Sequence, residues 1–230
     1  MSKLYIVGTP IGNMKDITLR ALETLREVDV IACEDTRVTK KLLSHHEIRY
    51  DKLVAYHDQN EKASAKGIIE MINAGQNVAI VSYAGMPVVA DPGFEVIRQA
   101  IAAGVEFEVI PGVSAVTTSI VLSNLDTHFK FLGFLKPKPI QRQNELKALV
   151  PGTYIAYVSP HKMEKTLEDF DIVFGDAVYI FLGRELTKKF ESHYRGTPKE
   201  VFEQVKEHIK GEFTIVFEVK KVKVNKYAKK

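Results

Sequence analysis

The chain has 230 residues, of which 45% are hydrophobic and 27% charged, with a formal net charge of +3. This balance is typical of a soluble globular protein of one large or two ordinary domains, and no run of about 18 apolar residues predicts a membrane span. The single Cys33 cannot form an internal disulfide, which favours a reducing, cytoplasmic location.

The first half of the chain alternates predicted strands and helices, which is typical of an α/β fold with a mostly parallel sheet. The first helix begins near Ile17 and would be capped by Asn13 or Asp16, and the third would run from an Asn60 cap to a stop at Gly75. The predicted strands are 5–7, 28–33, 77–82 and 106–110. The predicted helices are 17–28, 36–44, 60–75, one ending at 104, and 113–125.

The second half has a different pattern of predicted elements. Its predicted strands are 129–134, 153–159, 177–183 and 212–219. Helices are predicted at 140–149 and 161–172, and a third from Pro198 to a stop at Gly211. The last strand alternates like a half-exposed antiparallel strand. These patterns predict one α/β domain over residues 1–115, a second over 116–222, and a Lys-rich tail over 223–230.

Charge is unevenly divided between the two halves. Residues 1–120 carry 12 Lys and Arg against 15 Asp and Glu, whereas residues 121–230 carry 20 against 14. A basic second half is compatible with an anionic partner such as RNA, although the tail by itself is more simply a solvated charged end.

Four predicted strands of the first half end in loops rich in glycine, proline or charge. The loops read GTPIGN after Val7, EDTR after Cys33, YAGMPVVADPG after Ser82 and PGVSAV after Ile110. The carboxyl ends of parallel strands lie along one edge, where ligands bind open α/β sheets. Glycines there allow close backbone approach. One such loop is an ordinary connection between a strand and a helix, but four of them at one edge favour a shared ligand site.

The EDTR segment concentrates charge directly after a buried strand. Glu34, Asp35 and Arg37 could line a polar substrate cleft, or Asp35 could simply be the N-cap of the helix that follows. The residues alone leave both interpretations open. The segment RELTK repeats the theme at 184–188, after a strand of the second half.

A metal site is not expected. His45 and His46 are adjacent and diverge on a helix, His57, His161 and His193 each stand alone, and there is no Cys-x-x-Cys pair.

These motifs together resemble the ribosomal small-subunit methyltransferase I family of the tetrapyrrole methylase superfamily. The resemblance is carried by TPIGNMKDITLRALETLREVDVIACEDTR, and then by DPG, PGVSAV, SPHK, RELTK and RGTP in the family's order, from about residue 4 to 217. It implies two α/β domains of the class III methyltransferase type, with S-adenosylmethionine in the cleft between them. It also implies a homodimer, which the apolar C-terminal strand favours, and a small-subunit rRNA or assembled small-subunit substrate.

The resemblance further implies the residues of the site. Asp35, Arg37, Glu185 and Lys188 are expected to serve catalysis on an rRNA cytidine 2′-hydroxyl. The positions that match cofactor-contacting segments are Pro10, Ser82, Tyr83, Ala84, Gly85, Met86, Ser114, Ala115, Tyr157, Leu182 and Gly183. The family usually reads Ser-Asp-Ala-Gly-Thr-Pro where this chain reads SYAGMP, so Tyr83 replaces an acid and Met86 a hydroxyl residue.

Two other functions remain open at this point. One is a small-molecule methylase of the same fold that acts on a tetrapyrrole. The other is a non-catalytic RNA-binding relative that has lost its cofactor through Tyr83 and Met86.

Overall fold

The computed structural model describes residues 2–56 and 61–220. The expected cap at Asn60, His57 and the Lys-rich tail lie outside these residues. The chain divides into two compact units, one ending at Ser114 and the other beginning at Ala115.

The first unit is built on a fully parallel five-stranded sheet. Its strands are β1 (Leu4–Val7), β2 (Val30–Cys33), β3 (Lys52–Ala55), β4 (Val78–Val81) and β5 (Phe107–Ile110). Their order across the sheet is β3-β2-β4-β1-β5. Every residue of β2 and β4 is buried, as expected for parallel strands covered on both faces.

Helices cover both faces of this sheet. They are α1 (Leu19–Glu27), α2 (Thr36–His45), α3 (Glu61–Asn73) and α4 (Phe94–Ala103). Side chains of α3 and α4 pack with Ile6 and Ile80 in one hydrophobic cluster. Side chains of α1 and α2 pack with Val7 and Val81 in another. Since successive strand residues face opposite sides, the unit is a doubly wound α/β sandwich.

The second unit has a mixed five-stranded sheet in the order β6-β7-β10-β8-β9. Its strands are β6 (Phe129–Phe134), β7 (Gly152–Val158), β8 (Val178–Arg184), β9 (Ser192–Gly196) and β10 (Phe213–Val219). β6 runs parallel to β7, and the other neighbours are antiparallel. Its helices are α5 (Ala115–Ser123), α6 (Pro139–Lys147), α7 (Met163–Phe174) and α8 (Pro198–Val205). Helix α5 covers one face, and the other three cover the opposite face.

A buried ion pair joins two helices of the second unit. Arg142 of α6 is 1% exposed and donates to the Asp169 carboxylate of α7 and to the Lys165 carbonyl. Gln143 donates to the other Asp169 oxygen at 2.6 Å. Because its donors and acceptors are paired, this charged pair is tolerated inside the unit.

Several sequence-based expectations about elements are wrong. Helix α1 is capped by Thr18, whose side chain accepts from the Ala21 amide, and not by Asn13 or Asp16. The helix predicted over 198–211 ends at Val205. The strands β3 and β9 were not predicted, because KLVA and SHYRG are short and carry no clear apolar alternation.

The C-terminal strand β10 is antiparallel, as expected, but it is not half-exposed. It lies at the centre of its sheet, paired with β7 and β8, and six of its seven residues are buried. Helices pack on both faces of the sheet, so the alternation of Phe and Ile with Thr and Val reflects two different buried surfaces.

Candidate active site

The four loops singled out in the sequence lie side by side. Strands β2, β4, β1 and β5 are consecutive neighbours, and all of them are parallel. Their carboxyl ends therefore meet at one edge of the first unit, and the predicted shared edge is confirmed.

The loops after β1 and β5 touch through two glycines. A Cβ built on Gly8 would lie 2.7 Å from the Gly112 amide nitrogen and 2.6 Å from the Met86 sulfur. A Cβ on Gly112 would lie 3.0 Å from the Gly8 backbone. The Gly112 amide also donates to the Met86 sulfur at 3.3 Å. Glycine is needed at both positions because backbone and thioether fill the space that a side chain would occupy.

The loop after β4 is tied to the loop after β1. Thr9 and Gly85 exchange two backbone hydrogen bonds, of 2.8 and 3.1 Å. The buried Ser82 hydroxyl points at the Ala84 and Gly85 carbonyls, 3.4 Å from each. Tyr83, which lies between these fixed points, is 49% exposed. The backbone of this loop is thus held while Tyr83 stays open to solvent.

The same loop continues through two residues in an unfavourable backbone conformation. Val88 has a φ of 75° and Ala90 a φ of 64°. A positive φ is costly for both residues, and most costly for Val88, whose side chain is β-branched. The Glu61 carboxylate secures the end of the loop by accepting from the amides of Gly93 and Glu95, at 3.0 and 3.2 Å. The sequence alone did not point to Glu61, because it lies at the start of α3, 32 residues before the Gly93 amide that it binds.

The loop after β2 carries a closed ion pair. Asp35 caps α2 by accepting from the Arg37 amide at 2.8 Å. It also accepts from the Arg37 guanidinium at 3.1 and 2.7 Å. The side-chain hydrogen bonds from Arg37 and then its amide lower the pKa of Asp35 to about 2. The cap interpretation of Asp35 is therefore confirmed, and the carboxylate is a weak base at neutral pH.

Glu34, one residue before Asp35, differs from it in its hydrogen bonding. Its Oε2 atom is buried and finds no hydrogen-bond donor within residues 2–56 and 61–220. A buried acceptor without a donor is unfavourable by about 1–3 kcal/mol or more. Among the described carboxylates of this edge, Glu34 is the one with a buried oxygen that has no donor.

The predicted residues Glu185 and Lys188 of the second unit are engaged within the protein. The Glu185 carboxylate accepts from the Lys188 ammonium at 3.0 Å and from the Glu212 amide at 2.8 Å. Lys188 also pairs with the Glu212 carboxylate at 3.0 Å. Burial lowers the pKa of Lys188, but the hydrogen bonds that its ammonium donates to Glu212 and Glu185 raise the pKa above its ordinary value. This cluster holds the loop after β8 against the start of β10.

The remaining predicted cofactor positions lie in separate parts of the fold. Pro10 is buried in the loop after β1, and Ser114 and Ala115 follow β5 at the beginning of α5. Tyr157 of β7 packs edge-on against Phe131 and Phe134. Leu182 is fully buried in β8 and precedes Gly183.

Known proteins resemble the chain along nearly its whole length. The family model described as tetrapyrrole (corrin/porphyrin) methylases matches residues 3–201. The chain belongs to this family. Ribosomal RNA small subunit methyltransferase I of Mycoplasmopsis pulmonis is 54% identical, over 96% of this chain and 99% of that protein. The Bacillus subtilis protein of the same name is 42% identical, over 95% and 75%.

Solved structures of the family share the fold of this tetrapyrrole methylase. Uroporphyrin-III-C-methyltransferase from Thermus thermophilus superposes with a TM-score of 0.68 at 21% identity, over 95% of this chain and 94% of that one. The protein is thus a methyltransferase of the expected α/β class, and its cofactor is S-adenosylmethionine.

The chemistry of the edge fits this cofactor. S-adenosylmethionine carries a positive sulfonium and no phosphate. The segments 8–13, 82–86 and 111–114 contain no Lys or Arg, and they present glycine-lined backbone and a thioether. A cationic cradle, as used for phosphates, is not what these loops provide.

No described group of three or more His, Cys, Asp or Glu side chains is placed to hold a metal ion. In the part of the chain that the structure describes, no helix is long and apolar enough to cross a membrane.

Proposed function

We propose that this protein transfers a methyl group from S-adenosylmethionine to the ribose 2′-hydroxyl of a cytidine in the decoding region of small-subunit rRNA. The observation that carries the proposal is the 54% identity across 99% of a relative named ribosomal RNA small subunit methyltransferase I. The substrate would be the rRNA or the assembled small subunit in the cytoplasm, and the enzyme a homodimer.

The carboxyl edge of the first sheet supports a division of labour. The loops after β1, β4 and β5 are glycine-lined and free of Lys and Arg, and would bind the cofactor. Pro10, Ser82, Gly85, Met86 and the segment 114–115 belong to this group of loops. When bound, S-adenosylmethionine supplies a methyl group already activated by the sulfonium charge, so alignment is the main requirement.

The loop after β2 would receive the RNA. Arg37 presents a guanidinium on a side chain that is 86% exposed, and Asp35 fixes its orientation through two hydrogen bonds. A fixed, exposed guanidinium suits a phosphate oxygen of the RNA backbone. In this proposal Asp35 positions Arg37 and does not itself take a proton.

Glu34 is the carboxylate that we assign to the 2′-hydroxyl. A ribose hydroxyl is a poor nucleophile, and a positioned base assists it. The Glu34 Oε2 atom is buried and has no donor among the described residues, and the carboxylate of this partly exposed residue would have to turn towards the edge to accept from a ribose hydroxyl. The hydroxyl proton would pass to Glu34 as the ribose oxygen bonds to the methyl carbon, while the sulfur–methyl bond breaks with its electron pair left on sulfur, and S-adenosylhomocysteine would leave. Glu185 and Lys188, which pair with each other, would act indirectly by shaping the loop after β8.

The test is to map 2′-O-methylation in small-subunit rRNA from cells with and without this gene. One cytidine in the decoding region should lose its methyl group in the deletion strain and regain it on complementation. An unchanged methylation map would refute the proposal, and a methylated tetrapyrrole that disappears instead would identify the small-molecule alternative.

A further inference from the structure

Tyr83 occupies the boundary between two chemically different parts of the edge. It follows β4, which lies between β1 and β2 in the sheet. On the β1 side are the uncharged, glycine-lined loops. On the β2 side is the charged segment that contains Glu34, Asp35 and Arg37.

The Tyr83 ring is exposed on a backbone that is already ordered. Thr9 and Gly85 tie the loop through two backbone hydrogen bonds, and Ser82 points its hydroxyl back into the loop. The residue nevertheless keeps 49% of its surface accessible to solvent. Because the backbone that carries the ring is already ordered, little backbone entropy is lost when a flat ligand stacks on it.

Tyr83 follows β4 and Arg37 follows β2, its neighbour in the sheet, so the two exposed residues belong to loops at adjacent strand ends. An exposed aromatic ring beside an exposed guanidinium is the pair of groups that binds unstacked nucleotides, the ring taking the base and the guanidinium the phosphate. The same guanidinium repels a positively charged sulfonium, which argues against the cofactor as the partner of this ring.

We infer that Tyr83 is a stacking platform for a nucleobase of the RNA substrate, at or next to the nucleotide whose ribose reacts, and is not a cofactor contact. This inference rests on the proposed function, because it takes RNA as the substrate. It gives a physical role to the Tyr that stands where the family usually has an acid. A second acid beside Arg37, in addition to Asp35, would compete further with the RNA phosphate for the guanidinium, whereas a phenol ring adds no negative charge.

The experiment compares Tyr83→Leu, which removes the aromatic face, with Tyr83→Phe, which keeps it. The probe is a short single-stranded RNA of the decoding-region sequence with 2-aminopurine beside the target cytidine, bound in the presence of S-adenosylhomocysteine. Stacking on an aromatic ring is worth roughly fivefold to 150-fold in affinity per base. We expect a loss in that range for Tyr83→Leu, with reduced 2-aminopurine quenching, and less than a twofold change for Tyr83→Phe.

Calorimetry with S-adenosylhomocysteine separates the alternatives. Unchanged affinity in both variants supports the inference. A loss of S-adenosylhomocysteine affinity in Tyr83→Leu without a loss of RNA affinity would overturn it and make the ring a cofactor contact. Equal RNA affinity in all three proteins, or no RNA binding by the unaltered protein, would also overturn it. Methylation of rRNA by the unaltered protein is scored separately, so failure of the proposed function is distinguishable from failure of this platform.

Discussion

At the scale of single residues, hydrogen-bond partners decide which carboxylate can do chemistry. Asp35 accepts three bonds from Arg37, while Glu34 keeps a buried oxygen without a donor among the described residues. We expect Glu34→Gln to lower kcat by about 10²–10⁴-fold. The matched variant Asp35→Asn keeps a capping side chain and should chiefly raise KM for RNA, because it loosens Arg37. Methylation rates measured for each variant over a range of RNA concentrations give both the change in kcat and the change in KM for RNA. An equal fall in kcat for Asp35→Asn, with unchanged melting temperature, would make Asp35 the base.

The ion pair between Asp35 and Arg37 can be followed through the pKa of the Asp35 carboxyl. Arg37 holds the pKa of Asp35 at about 2, below the usual value of about 3.9 in an unfolded chain. A depressed carboxyl pKa stabilises the fold above about pH 4, and this contribution is lost as the pH falls through about 2. Carboxyl-detected NMR titration should show the low value. It should rise towards the usual value in Arg37→Ala and stay low in Lys40→Ala.

At the scale of elements, the loops after β1 and β5 meet through a close backbone contact between Gly8 and Gly112. Gly8→Ala would place a Cβ within 2.7 Å of the Gly112 amide nitrogen, and backbone must move to admit it. We expect a loss of about 1–3 kcal/mol in unfolding free energy together with weaker S-adenosylhomocysteine binding. The control is Gly67→Ala in α3, where a Cβ has nothing within 4 Å. That change should stabilise the protein by about 1 kcal/mol and leave binding unchanged. Equal cofactor affinity in both variants would contradict a cofactor role for this contact.

At the scale of the whole molecule, the expectation of a homodimer comes from the family resemblance. The apolar C-terminal strand does not support it, since β10 is paired on both sides within its own sheet. We expect light scattering to give about twice the monomer mass of 25.9 kDa, independent of salt if the interface is mainly apolar. A mass near that of the monomer at micromolar concentration would contradict the dimer.

The sequence by itself determined the α/β class, the alignment of four loops along one edge, and the family, because periodicity and loop motifs are local in the chain. Only the tertiary structure decided which hydrogen-bond and ion-pair partners particular polar groups have, because those partners come from distant parts of the chain. Glu185 and Lys188 meet Glu212 only when β8 pairs with β10. Glu61 reaches Gly93 only because α3 and the loop before α4 fold together. The central position of β10 likewise follows from strand order, which its own alternating residues do not encode.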